Sequence, residues 1–233
     1  MMGIVFKLIL LILLLCPLTI NSSFQYLTFV QQWPRGYCTD NPANPNRCQR
    51  NPLPTVFTIH GLWPGNFTKI LQNCTSSPYT SLRTFQDWNN RNLRWPDLTK
   101  PSPTAQTFRQ EKFQSFWRHE WTKHGTCSEN MYPQATYFSR TIQLSQRHNI
   151  LNYLATSNIR PGSNPTVSSV NSTIYKAISN HVPDLMCVTP PRQTPVLVEI
   201  GICFNATMTT IIDCPSGFLR TRSCGTNTIS FPA

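Results

Sequence analysis

Of the 233 residues, 39% are apolar and only 12% charged, with 20 Lys and Arg against 9 Asp and Glu, for a formal net charge of +11. Such a chain forms one domain with a substantial core, and its composition excludes a disordered charged tail, a coiled coil and a collagen-like repeat. The positive excess points to a polyanionic partner, for which nucleic acid, an anionic membrane surface and an acidic polysaccharide compete.

In chain order, Lys7 precedes the apolar run Leu8 to Leu15, and the small and polar residues Asn21, Ser22 and Ser23 follow. This pattern reads as a secretory leader over residues 1–22, leaving residues 23–233 as a single domain. The run is too short to cross roughly 30 Å of hydrocarbon and nothing comparable follows, so a soluble, extracellular protein without a membrane anchor is expected. Cys16 would leave with the leader. Cys38, Cys48, Cys74, Cys127, Cys187, Cys203, Cys214 and Cys224 remain, an even number suited to four disulfides in an oxidising compartment. The absence of any C-x-x-C pair speaks against a zinc site. Secretion would also make the N-x-S/T sequons at Asn66, Asn73, Asn171 and Asn205 glycan acceptors on exposed loops or element ends.

Phe24 to Trp33 and Pro54 to His60 are rich in aromatic and β-branched residues and read as strands, as do Pro195 to Phe204 and Thr209 to Asp213. Thr84 to Leu93, Phe108 to His124, Pro133 to Tyr153 and Val170 to His181 read as helices. Pro and Asn cluster in two expected loops, Asn41 to Pro54 and Thr99 to Pro103. Strands at both ends with helices between them predict an α+β fold and not a strict βαβ alternation.

Two segments concentrate chemistry. In Phe57-Thr58-Ile59-His60-Gly61-Leu62-Trp63-Pro64, period-two alternation sends His60 to the face opposite Ile59, and Gly61 and Pro64 are expected to end the strand and leave the imidazole at a mouth. In Phe116-Trp117-Arg118-His119-Glu120-Trp121-Thr122-Lys123-His124-Gly125-Thr126-Cys127, helical spacing pairs Glu120 with His124 and His119 with Lys123, and Gly125 suits a C-terminal cap. A zinc-protease motif needs histidines four apart. His119 and His124 are five apart and point roughly 140° from each other, so they would not chelate one ion. Scattered acids likewise disfavour a metal-dependent nuclease. Arg91, Arg94, Arg109 and Arg118 could guide phosphates, although a solvated surface explains each equally well.

Two histidines from separate elements, with a Lys and a Glu beside one of them, match what transesterification of RNA demands. One base takes the 2′-hydroxyl proton, one acid returns a proton to the leaving oxygen, and no metal or cofactor is needed. The competing reading from another class is a catalytically silent glycoprotein that binds RNA or a partner protein.

The segments FTIHGLWP and HEWTKHGTC resemble the two active-site segments of the ribonuclease T2 family, and FVQQWP, RWPDL, EIGICF and IDCP extend the resemblance over the whole mature chain. The resemblance implies an α+β fold with a multistranded antiparallel sheet packed with helices, cleavage of single-stranded RNA through a 2′,3′-cyclic phosphate, no cofactor and a monomer. By position, His60 would be the acid, His124 the base, and Glu120 and Lys123 the groups stabilising the pentacoordinate phosphate, which His119 would hold. Gln32, Phe116, Asp97 and Leu98 match base-contacting positions. Family order further implies the pairs Cys38–Cys48, Cys74–Cys127, Cys187–Cys224 and Cys203–Cys214. Within the family the basic, sequon-bearing chain is most similar to plant S-RNases, which implies a role in gametophytic self-incompatibility and pollen recognition proteins of the F-box type as partners. A secreted S-like ribonuclease in defence or phosphate scavenging is the alternative.

Overall fold

The computed structural model describes residues 24–39 and 47–233; the expected leader and part of the Asn41 to Pro54 loop lie outside them. Strand β1 (Tyr26–Gln32) leads into a short helix α1 (Pro34–Thr39), then β2 (Thr58–Asn66) and β3 (Lys69–Ile70). Helices α2 (Phe85–Arg94), α3 (Ser115–Lys123), α4 (Gln134–Arg147), α5 (Ile150–Ala155) and α6 (Val167–Ala177) fill the middle of the chain. The chain closes with β4 (Asp184–Val188), β5 (Val196–Asn205), β6 (Ile211–Ile212) and two 3-10 turns, Ser216–Phe218 and Arg220–Cys224.

The strands form one antiparallel sheet in the order β3-β2-β1-β5-β4, with β6 on the same side of β5 as β4. Both ends of the chain therefore meet at its centre, where Tyr26 pairs with Asn205 and Gln32 with Glu199. This is the expected α+β class. The buried aromatic residues Trp33, Trp95, Trp117, Tyr137 and Phe138 anchor one continuous core between sheet and helices. Four disulfides form, in the pairing that the resemblance implied: Cys38–Cys48, Cys74–Cys127, Cys187–Cys224 and Cys203–Cys214.

Several boundaries differ from the sequence expectation for physical reasons. The strand expected over Pro54 to His60 begins only at Thr58 and runs on to Asn66, so neither Gly61 nor Pro64 ends it. Up to Pro64 the outer side of β2 has no strand partner, because β3 covers only Gly65 and Asn66, and a strand edge tolerates a residue without an N–H. The helix expected from Phe108 to His124 is a 3-10 turn, Glu111–Phe113, followed by α3. Gln114 interrupts it, spending its buried side chain on the backbone N–H and carbonyl of Leu82. The helix expected over Pro133 to Tyr153 is two, α4 and α5, because Asn149 accepts from the Asn152 N–H and starts a new N-terminus. Strand β4 escaped the pattern because only Val188 of its five residues is β-branched, none is aromatic, and Asp184 disfavours a strand.

Asn66 and Asn205 end β2 and β5, and Asn73 lies on an exposed loop. Asn171 departs from the expectation of a loop or an element end, since it is half-buried inside α6.

Candidate active site

His60 owes its position to a β-bulge. In the β1–β2 ladder Val30 faces Gly61 and Gln31 faces Ile59, so His60 is the extra residue with no partner opposite it, a device that re-aims a side chain. Its backbone is pinned from the core, where the Trp95 indole donates to the His60 carbonyl at 2.8 Å and the Trp117 indole donates to the Trp95 carbonyl at 2.8 Å. Each such bond contributes only about 1 kcal/mol net, but a buried indole N–H left unpaired would cost about as much or more. Gly61 is required by close approach, because a Cβ there would collide with Glu120 Oε2 and the Trp63 indole.

Helix α3 brings the second segment against β2. Trp117, Glu120 and Trp121 are buried on one face, so Glu120, 1% exposed, does not lie on a solvated polar stripe. His119 is exposed and Lys123 half-buried. His124 is also buried, at 4% exposure, and Gly125 follows with no left-handed backbone: it is a glycine because a Cβ would strike Trp121, and not because it caps the helix.

Trp63 links the two histidines. Its ring stacks on His124 with centroids 5.2 Å apart and meets His60 edge-on at 5.1 Å, while its Nε1 donates to Glu120 Oε2 at 3.2 Å. Glu120 Oε1 lies 3.9 Å from His60 Nε2. Beside this cluster a cleft of about 280 Å³ is lined by Gln32, His60, Asp97, Leu98, Phe116 and His119, together with Tyr37, which no sequence motif singled out. Glu120, Lys123 and His124 are not among its lining residues; Glu120 adjoins it through His60, and His124 is stacked on Trp63. One oxygen of Asp97 is engaged by the Thr99 N–H and hydroxyl.

The electrostatics set the two imidazoles apart. Burial, then Lys123, His60 and His119, push His124 down to about 3, with a backbone contact from Leu71 acting the other way. Burial also opposes a charged His60, but the charge and hydrogen bond of Glu199 and the charge of Glu120 outweigh it and raise its pKa above the ordinary histidine value. Burial pushes Glu120 up to about 7, against the pull of His60, Trp63 and Lys123. His119 is lowered by partial burial and by its cationic neighbours. The site thus gathers a neutral imidazole, a charged imidazole and a readily protonated carboxyl around Trp63, the groups that proton exchange at a phosphodiester uses.

Two residues that reach this site were missed by sequence reasoning. Glu199 on β5 binds His60 Nδ1 and Arg220 binds Glu199. A lone acid in the apolar strand VLVEIGICF is a signal that could have found Glu199. Arg220 lies in an irregular segment without such a signal. Among the four arginines considered as phosphate guides, Arg91 is not a surface charge at all, since it is buried, donates to the Tyr79 hydroxyl and lies 3.8 Å over the Phe138 ring. Arg109 binds the Arg83 carbonyl and Arg118 pairs with Glu111.

The fold and the two imidazoles joined through Trp63 suit a class of phosphodiester-cleaving enzyme. The Ribonuclease T2 family model matches residues 24–214, and the chain belongs to that family; it is a T2-type ribonuclease. It is 36% identical to Ribonuclease S-7 of Nicotiana alata over 232 residues, covering 96% of each chain. Its fold is similar to the crystal structure of the gametophytic self-incompatibility associated SF11-RNase of Nicotiana alata, with a TM-score of 0.76, 33% identity, and coverage of 90% of this chain and 100% of that one. It is comparably similar to RNase MC1 from bitter gourd seeds, in a mutant crystallised with 5′-GMP, with a TM-score of 0.73, 31% identity and coverage of 88% and 99%.

Proposed function

We propose that this ribonuclease is a secreted, metal-independent endonuclease in which His124 takes the 2′-hydroxyl proton and His60 protonates the departing 5′-oxygen, forming a 2′,3′-cyclic phosphate. The observation that carries this reading is the opposite electrostatic setting of two imidazoles joined through Trp63, one held neutral and one held charged. Glu120, protonated over much of the acidic range, and Lys123 stabilise the phosphorane, and His119 holds the phosphate. The cleft bounded by Gln32, Asp97, Leu98 and Phe116 receives the base; the crystallisation of a similar protein, an RNase MC1 mutant, with 5′-GMP supports nucleotide binding. Four disulfides and the leader-like N-terminus support secretion, and the four sequons support glycosylation. The refolded mature chain is expected to cleave RNA in EDTA to products ending in cyclic phosphate; no cleavage with the disulfides intact would overturn the reading.

The pH profile follows from the two environments. The base must be neutral, so the low-pH limb of kcat/KM belongs to a group depressed below the ordinary histidine range; the acid must be charged, so the high-pH limb belongs to one raised above it. A broad bell is expected, its limits belonging to the coupled set and extending farther into acid than an unperturbed pair would allow. A kcat/KM that falls neither in acid, as His124 gains a proton, nor in alkali, as His60 loses one, would contradict two-histidine chemistry.

Charge and chemistry separate at Lys123. Loss of Lys7 with the leader leaves a net charge of +10, whose long-range attraction to RNA is screened over about 8 Å at 0.15 M salt. Lys123→Gln is expected to lower kcat at any salt concentration, whereas Arg94→Gln, at an exposed position, lowers only kcat/KM and only at low salt. Steady-state kinetics on a short oligoribonucleotide at two salt concentrations measures this, and a Lys123→Gln defect erased by salt would remove Lys123 from the chemical step.

The self-incompatibility role is the finer reading. It is supported by the likeness to the incompatibility-associated SF11-RNase, while near-equal likeness to RNase MC1 supports an S-like secreted ribonuclease. Transcripts confined to the style favour the first; expression in leaf or root under stress favours the second.

A further inference from the structure

A chain of three charged side chains that line no part of the cleft leads to His60, with Glu199 and Asp184 buried and Arg220 partly so. Glu199, 3% exposed on β5, accepts the Nδ1 proton of His60 on Oε1, and its Oε2 accepts from Arg220 Nη1. Arg220 donates its Nε to Asp184 Oδ2 at 2.6 Å and its backbone N–H to Oδ1 of the same carboxylate at 2.5 Å. Asp184 is the first residue of β4.

The framework around this chain is stiff. Glu199 is held in register on both sides of β5, opposite Met186 of β4 and Gln32 of β1, and the ladder irregularity between Met186 and Cys187 falls at the adjacent Val198. The turn carrying Arg220 is tied to β4 by the Cys187–Cys224 disulfide and by hydroxyls of Thr221 and Ser223 on the N–H groups of Leu185 and Cys187. Stability alone does not require such a cluster, since well-packed apolar residues of the same volume do as well as buried ions. Two carboxylates and one guanidinium leave one negative charge, and the imidazolium of His60 is the cation that balances it.

We propose that Asp184, Arg220 and Glu199 form a positioning relay: Arg220 fixes the Glu199 carboxylate, which holds His60 Nδ1–H and so turns Nε2 toward the reacting phosphodiester. This inference rests on the acid role of His60 proposed above. In that step Nε2–H passes its proton to the 5′-oxygen as the P–O5′ bond breaks; His60 ends neutral, keeps its Nδ1 proton, and Glu199 stays ionised. The electrostatics agree, because burial would raise Glu199, yet His60 and Arg220 hold it down at about 2. The other charged or titratable groups around His60 are Glu120 and His119 from α3 and His124 just past its end, with Tyr37, Asp97 and Lys100 lining the cleft.

The test uses the full mature enzyme and the variants Glu199→Gln, Arg220→Lys and His60→Ala. The His60 imidazole is titrated by NMR, and kcat and KM are followed over pH on a dinucleoside phosphate alongside thermal melts. Glu199→Gln keeps the shape and removes the charge. Its His60 titration is expected to move down by about one pH unit or more, carrying the high-pH limb of kcat/KM with it, and kcat falls about 10–100-fold with KM within about twofold. Arg220→Lys keeps the charge but not the fork that grips two carboxylates, so the limb stays in place while kcat falls several-fold. A Glu199→Gln enzyme with an unmoved His60 titration and limb, or a kcat loss that tracks loss of folded protein, overturns the relay. If His60→Ala remains active, the acid role itself fails. If His60→Ala is inactive while Glu199→Gln keeps wild-type kcat and profile, only the relay fails.

Discussion

Replacing His60 by alanine is expected to lower kcat by about 10²–10⁴-fold, and replacing His124 to do the same, because each removes one of two coupled proton transfers. The double variant loses little more than the worse single one, since removing either partner already stops the concerted step. KM changes little for His60→Ala, whose imidazole is only one wall of the cleft. His124→Ala is different in its effect on the fold. His124 is buried and stacked on Trp63, so its removal leaves a void and lowers the melting temperature. The pH dependence of that stability has a definite sign. His124 is depressed on folding, so its own contribution to stability is lost as pH falls below about 6.5, when the unfolded chain takes up the proton and the folded chain does not. His124→Ala lacks that loss and closes part of the gap to the wild type at acid pH. Kinetics on a dinucleoside phosphate with melts at two pH values measures both effects, and near-normal kcat in either single variant would contradict the assignment.

Removing the Cys74–Cys127 disulfide is expected to cost about 4 kcal/mol, the chain-entropy value for a bridge spanning 53 residues, and to lower Tm by about 8–16 °C. Activity should fall further than the unfolded fraction explains. Cys127 lies three residues beyond His124, and the loop it anchors carries Asn73, whose N–H satisfies the Lys123 carbonyl at 2.8 Å, and Leu71, whose N–H bonds the Pro64 carbonyl at 3.0 Å. The bridge therefore clamps the end of α3 onto β2 at the point where Lys123 and His124 leave the helix. A Cys74→Ala/Cys127→Ala variant with an unchanged melting temperature, or with full kcat per folded molecule, would show that the clamp is dispensable.

Much of this molecule was legible before any coordinates. Apolar and aromatic patterning marked β1, β5, α2 and α6 to within a few residues, since periodicity is a local property of the chain. The motifs around His60 and α3 announced the chemistry, because proton transfer at a phosphodiester uses few residue types. The errors share a cause in contacts made at a distance. Nothing local says that Gln114 will be drawn to Leu82, or that Arg91, read as a surface charge, will be buried over Phe138.

The sequence by itself determined the fold class and the cysteine set and brought forward His60 and His124 as the imidazoles proposed to exchange protons, all of which depend on residue type and short-range spacing. Only the tertiary structure decided how those imidazoles differ. His60 meets Glu199 across 139 positions of sequence, and Arg220 meets Asp184 across 36. The sheet brings these charges into a medium too poor in water to screen them, so His60 is held charged by carboxylates while His124 is kept neutral by burial and by the cations beside it.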